Sequence, residues 1–236
     1  HQCAPAPAAD DPRQIVRQAG VPVIAVATHG AVPTTAAARR DDSNAPDDRY
    51  RLYEVAGAGH IDRFAHSGFP ASADQAAAGN RQGTPDWPFT APCTPPIPLM
   101  ATPILGTAYD ATLDALDAWV RKGIAPPGAG RLALRTPAAP TPAVATDEYG
   151  HAVGGFRTPY VEVPVASYTT NGEGPGACPE MGSARPFDAA RLSAIYGTRQ
   201  AYQRRLDAVI TRLRRGRWLT ADDAPRVRAD LLRAWK

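Results

Sequence analysis

Hydrophobic positions along this chain change their period as it proceeds. From Val21 to Val26 (VPVIAV) they run almost unbroken, the pattern of a strand buried on both faces, with Pro22 tolerated at its start. From Tyr50 to Val55 they alternate: Tyr50, Leu52 and Glu54 fall on one side, Arg51, Tyr53 and Val55 on the other. Ala56, Gly57, Ala58 and Gly59 then remove side-chain bulk, so that the backbone can turn sharply before His60. Thr28, His29, Gly30 and Ala31 form a comparable turn after the first run. The predicted geometry is two parallel strands, each ending at a functional loop, with His60 mounted at the end of the second.

The period is helical elsewhere. Residues 1–20 read as a proline-rich connector with a short helix at Pro12–Gln18, and Ala36–Arg40 as a single turn. Thr107–Lys122 is the clearest helix: Thr107 caps it, Leu113, Leu116, Trp119 and Val120 form its apolar stripe, and Gly123 stops it. Beyond the stiff connector Pro137–Pro142, the apolar positions Tyr160, Val161, Val163, Val165 and Tyr168 suggest an edge strand interrupted by Pro159 and Pro164. The tail holds helices at Asp188–Tyr196 and Thr198–Arg215, then a last one capped by Thr220 and carrying Val227, Leu231, Leu232 and Trp235. Between Arg63 and Pro103 the chain is irregular and rich in Gly, Pro, Ala and Thr, the composition of a lid or binding loop. Trp87 and Phe89 within it are assigned as substrate-facing; anchoring the loop to the core is the rival role.

Composition narrows the picture. The 236 residues are 44% hydrophobic, enough for a core, and no apolar run is long enough to span a membrane. The net charge of +3 hides an asymmetry, since Thr198–Lys236 carries eleven Arg and Lys against four Asp. Without aromatic interleaving, those arginines read as solvated helix faces, and no nucleic-acid partner is expected. Cys3, Cys93 and Cys178 lack metal-site spacing. A Cys93–Cys178 disulfide would pin two Pro/Gly-rich loops and favour an extracytoplasmic location; two unpaired thiols are the equally simple reading.

Together with YRLYEVAGAGHID (Tyr50–Asp62), three segments carry a resemblance: LDALDAWVRKGIAPP (Leu113–Pro127), YGHAVGGFRTPYVEVPVASY (Tyr149–Tyr168) and RPFDAARLSAIYGTRQAY (Arg185–Tyr202). In these motifs the chain resembles the C-terminal half of the α/β-hydrolase domain-containing proteins, a serine-hydrolase-like group. The resemblance implies an α/β fold class, here the C-terminal portion of an α/β-hydrolase fold: parallel strands with flanking helices, a long loop or lid, and a helical tail. The expected organisation is 1–127 for the hydrolase portion, 128–186 for a Pro/Gly-rich extended segment and 187–236 for the tail. It further implies a small-molecule carboxylic ester or amide as substrate, no cofactor, and His60 as the base. Oligomeric state is left open.

The rest of the expected triad is harder to find. Where relatives carry carboxylates after the first strand, this chain has His29 and Ala31; Asp41, Asp42, Asp47 and Asp48 are the possible substitutes, although acidic residues in a polar loop are usually only solvated. No G-x-S-x-G elbow occurs, Ser67 and Ser183 read as loop serines, and Cys93 lacks a helix N-terminus to activate it. His60, Asp62 and His66 match no compact metal motif, so no metal is expected. Arg157, after the Gly154–Gly155 pair, is a candidate anion clamp, with an ordinary turn as its alternative. The chain then reads as a fragment or processed product whose serine and oxyanion hole lie outside it. The alternative is a noncatalytic, degenerate homologue acting as a binding or assembly module.

Overall fold

The computed structural model describes residues 11–61, 77–79, 93–94, 104–139, 141–175 and 178–235. Strand β1 (Val23–Thr28) leads through a 3-10 turn at His29–Ala31 into α1 (Val32–Thr35). A hairpin of β2 (Ser43–Ala45) and β3 (Asp48–Val55) follows, and β3 lies at the centre of a three-stranded sheet of order β1-β3-β2. β1 and β3 are parallel, in register from Val23↔Tyr50 to Thr28↔Val55, so both strands end at the same edge of the sheet. β2 pairs antiparallel with the start of β3. Phe156 adds a parallel bridge beside Val55.

Helix α2 (Ile104–Lys122) packs on β1 and β3. Its buried face is Ala108, Ala111, Ala115 and Trp119, while Leu113 and Val120 are 60% and 59% exposed. This overturns the expected stripe, of which only Trp119 turns fully inward. Alanines in the middle of the helix let its axis sit close to the strands, with the bulky buried residues Ile104, Leu105 and Trp119 toward its two ends. Thr107 is buried within the helix rather than capping it, because the helix begins at Ile104. The stop is as expected: Gly123 adopts φ 67°, its N–H donates to Trp119 O at 3.1 Å, and Ile124 N–H donates to Ala118 O at 3.2 Å.

The segment expected to be extended begins instead as one helical turn, α3 (Pro159–Glu162), with Pro159 at the first helical position where its missing N–H costs nothing. Only after Pro164 does the chain straighten, into β4 (Ala166–Thr169), which pairs antiparallel with β5 (Ser183–Pro186). Three helices close the chain: α4 (Ala189–Tyr196), α5 (Arg199–Arg215) and α6 (Asp223–Ala234). Their starts follow local capping chemistry. Asp188 accepts from Arg191 N–H at 2.7 Å, Thr198 from Ala201 N–H at 3.1 Å, and Thr220 from Asp223 N–H at 3.0 Å.

One apolar core joins the sheet to the tail helices. Trp218 meets Tyr53 and Phe156 with ring centroids 5.2 and 4.8 Å away, and Tyr202, Leu206, Val227 and Leu231 are buried in the same cluster. The end of β3 is locked by an ion pair between buried Glu54 and the partly buried Arg39. Glu54 receives Arg39 Nε and Nη2 at 2.6 and 2.7 Å and Leu132 N–H at 2.7 Å. Arginines of the tail reach acids on the surface, Arg212 to Glu162 and Arg228 to Asp207, both at 2.6 Å. No described helix is long and apolar enough to cross a membrane.

Candidate functional site

The parallel pairing of β1 and β3 delivers two loops side by side. Gly30 N–H donates to Ala58 O at 3.3 Å, joining the turn after β1 to the turn after β3. A third wall comes from the connection between β4 and β5. Thr170 and Asn171 lie against Gly30, while a Cβ built on Gly59 would come within 2.5 Å of Gly182 N and 3.0 Å of Thr170 O. Glycine at position 59 therefore allows another backbone to close in, rather than clearing an approach to the histidine. Asn171 Nδ2 donates to Pro179 O at 2.7 Å, and Ile61 N–H to Glu180 O at 2.9 Å. Cys93 and Cys178 are joined as a disulfide with Cα atoms 5.5 Å apart, and the bridge packs with Met181 and Ile61.

His60 stands at a bend between these contacts, exposed and without a hydrogen-bond partner among the described residues. His29 is different. It is half-buried, its Nδ1 is buried with no partner, and burial, reinforced by the neighbouring His151, lowers its pKa to about 4. Near neutral pH it is an uncharged imidazole at the place where a carboxylate was expected. Ala31 contributes only its carbonyl, which accepts from Thr34 Oγ1 and Thr35 Oγ1 at 2.9 and 3.1 Å.

The proposed acidic substitutes are not near the loop. Asp48 opens β3 and pairs with Arg40 at 2.8 Å; Asp42 pairs with Arg131 at 2.7 Å. Seven steps of strand put the start of β3 about 23 Å from its end; Asp47 adjoins that start, while Asp42 accepts from Leu52 N–H at 3.1 Å midway along the strand, with Asp41 next to it in the chain. Arg157 is committed elsewhere: it contacts Asp147 at 3.3 Å and Glu162 at 3.4 Å, and donates to the carbonyls of Ala152 and Val161. Ser183 lies within β5, hydrogen-bonded to Thr169 Oγ1 at 2.6 Å, not on an elbow. Trp87, Phe89, Ser67, Asp62 and His66 lie outside the described residues. Among the described residues no group of three or more His, Cys, Asp or Glu is placed to hold a metal ion.

One buried group carried no local sequence signal. His151 is fully buried beside Tyr168, with ring centroids 5.3 Å apart, and its Nε2 lies 3.1 Å from Ala166 O. Donation from Nε2 leaves Nδ1 as an unprotonated acceptor, and that atom has no partner. Burial lowers its pKa; Asp147 opposes the shift, while Arg157 and Arg191 add to it.

The architecture, a parallel strand pair presenting a histidine loop, agrees with the result of comparison: the profile of an alpha/beta hydrolase domain matches residues 1–229. The chain belongs to the alpha/beta hydrolase domain family. No curated protein and no solved structure matches it. Within this hydrolase domain the match runs through the connection between β4 and β5 and through most of the tail helices, so the segments that wall in the histidine loop are part of the family's extent.

Proposed function

We propose that this hydrolase domain contributes the base loop of an enzyme acting on carboxylic esters or amides. His60 takes the nucleophile's proton and returns it to the leaving group. The serine and oxyanion hole come from residues other than those of this chain, which is read as the C-terminal portion of the hydrolase fold with its lid loop and helical tail. The observation that supports this reading is the exposed imidazole, held by a loop whose backbone is anchored on both sides of it, at Gly59 and at Ile61. Such anchoring keeps the ring where proton transfer needs it, which is worth about 10²–10⁴ in rate for a positioned general base.

A second reading has its own support. The acid position holds a neutral, half-buried imidazole, and removing tautomer control from a triad lowers turnover by about 10⁴. On that reading the domain is a noncatalytic binding or assembly module. Hydrolysis of p-nitrophenyl acetate and butyrate by the native gene product, compared with its His60→Ala variant, separates the two. A loss of about 10² or more in kcat/KM on substitution supports the base. Equal rates in the two proteins remove it and leave the binding module.

A further inference from the structure

We infer that Glu180, not a residue of the β1 turn, is the carboxylate that positions the His60 imidazole. The inference rests on His60 being the base, and it is argued from the backbone. Ile61 N–H donates to Glu180 O at 2.9 Å. Standard bond lengths then hold the Cα atoms of His60 and Glu180 within about 8 Å of each other, whatever the local twist. A glutamate and a histidine side chain each extend about 4 Å beyond Cα by the same bond lengths, so the two heads can meet across that gap.

Nothing among the described residues holds either side chain away. His60 and Glu180 are exposed, and among the described residues neither head group has a hydrogen-bond partner. Their neighbours Ile61 and Met181 face the other way, packed with the Cys93–Cys178 bridge. The backbone under Glu180 is immobilised on three sides: the disulfide at Cys178, the Asn171 Nδ2 bond to Pro179 O, and the close approach of Gly182 to Gly59. A carboxylate carried on so constrained a segment loses little backbone freedom when it engages the ring.

The carboxylates weighed as alternatives to Glu180, Asp147, Asp42 and Asp48, are occupied. Asp147 accepts from the N–H groups of Tyr149 and His151 and pairs with Arg157; Asp42 accepts from Leu52 N–H midway along β3 and pairs with Arg131, and Asp48 holds Arg40 at the start of that strand. With Glu180 accepting from His60 Nδ1–H, the lone pair of Nε2 is left to take a proton from a nucleophile.

The tautomer of His60 tests this without reference to turnover. Long-range 15N–1H correlation at pH 8.5, where histidine is normally neutral, reads the ratio of Nδ1–H to Nε2–H forms, with the His60 signals assigned by a His60→Gln variant. Glu180→Gln keeps the size of the side chain and removes its charge, and Glu180→Ala removes the acceptor altogether. Each is expected to lower the Nδ1–H share, by roughly two- to fivefold in the ratio, the range of an exposed charged contact. A ratio that stays at the wild-type value in both variants overturns the inference while leaving His60 as base. Conversely, a shifted ratio together with ester hydrolysis insensitive to His60→Ala keeps the contact and removes the catalytic reading.

Discussion

Acid should loosen this protein through His29. Its imidazole has an ordinary pKa of 6.5 and is lowered to about 4 in the fold, chiefly by burial and secondarily by His151. The folded state thus binds this proton more weakly than the unfolded chain does. Stability from the neutral ring is fully present above pH 6.5 and is lost as pH falls through the window from 6.5 to about 4. Each pH unit inside that window costs about 1.4 kcal/mol. At pH 5 the loss is about 2 kcal/mol, rising to about 3 kcal/mol near pH 4. His151, lowered mainly by burial, acts in the same direction. Urea unfolding followed by tryptophan fluorescence at pH 7.5 and pH 5 measures it, and a drop of 2 kcal/mol moves the midpoint by about 1 M. In His29→Asn the share due to His29 disappears, while groups common to both proteins cancel in the comparison. If the variant loses as much stability as the wild type between these two pH values, the burial argument for His29 is refuted.

Other substitutions probe the frame around the site. Glu54→Ala leaves the partly exposed Arg39 guanidinium unpaired and Leu132 N–H without its acceptor, and thermal unfolding should report a loss of about 3 kcal/mol. Cys93→Ser releases a crosslink spanning 85 residues, with an expected cost of about 4.6 kcal/mol by loop entropy; denaturant unfolding of oxidised wild type against the variant checks it. On α2, Leu113→Lys should change stability by no more than about 0.5 kcal/mol. Ala108→Leu, on the buried face, should cost about 1–3 kcal/mol; melting both variants reverses the outcome if the helix faces are assigned wrongly.

What the sequence made legible was local. The unbroken apolar run at β1 and the alternation at β3 predicted the paired strands, and the helix starts read at Asp188 and Thr198 fall on residues whose side chains cap those helices; Thr220, read as the last cap, accepts from Asp223 N–H, although that helix starts only at Asp223. Helix α2 was legible as a helix but not in its orientation, since periodicity counts bulky residues whereas close packing on the strands selects alanine. The turn at Pro159–Glu162 was hidden because Pro at the first helical position and Pro interrupting a strand look alike until the following residues are placed. The walls of the candidate site were not legible at all. Gly30 against Asn171, Gly59 against Gly182, and His29 near His151 are contacts between residues more than a hundred positions apart, and no spacing rule within one segment encodes them.

His60 is the histidine presented to solvent at the end of β3, whereas His29 is half-buried with a buried Nδ1 and His151 is fully buried. Brief treatment with diethyl pyrocarbonate, followed by peptide mass mapping and by ester hydrolysis on the same samples, tests that claim directly. The expected result is carbethoxylation of His60 ahead of His29 and His151, with hydrolysis falling in step with His60 occupancy. Modification of His29 or His151 first, or hydrolysis that survives full modification of His60, would contradict it.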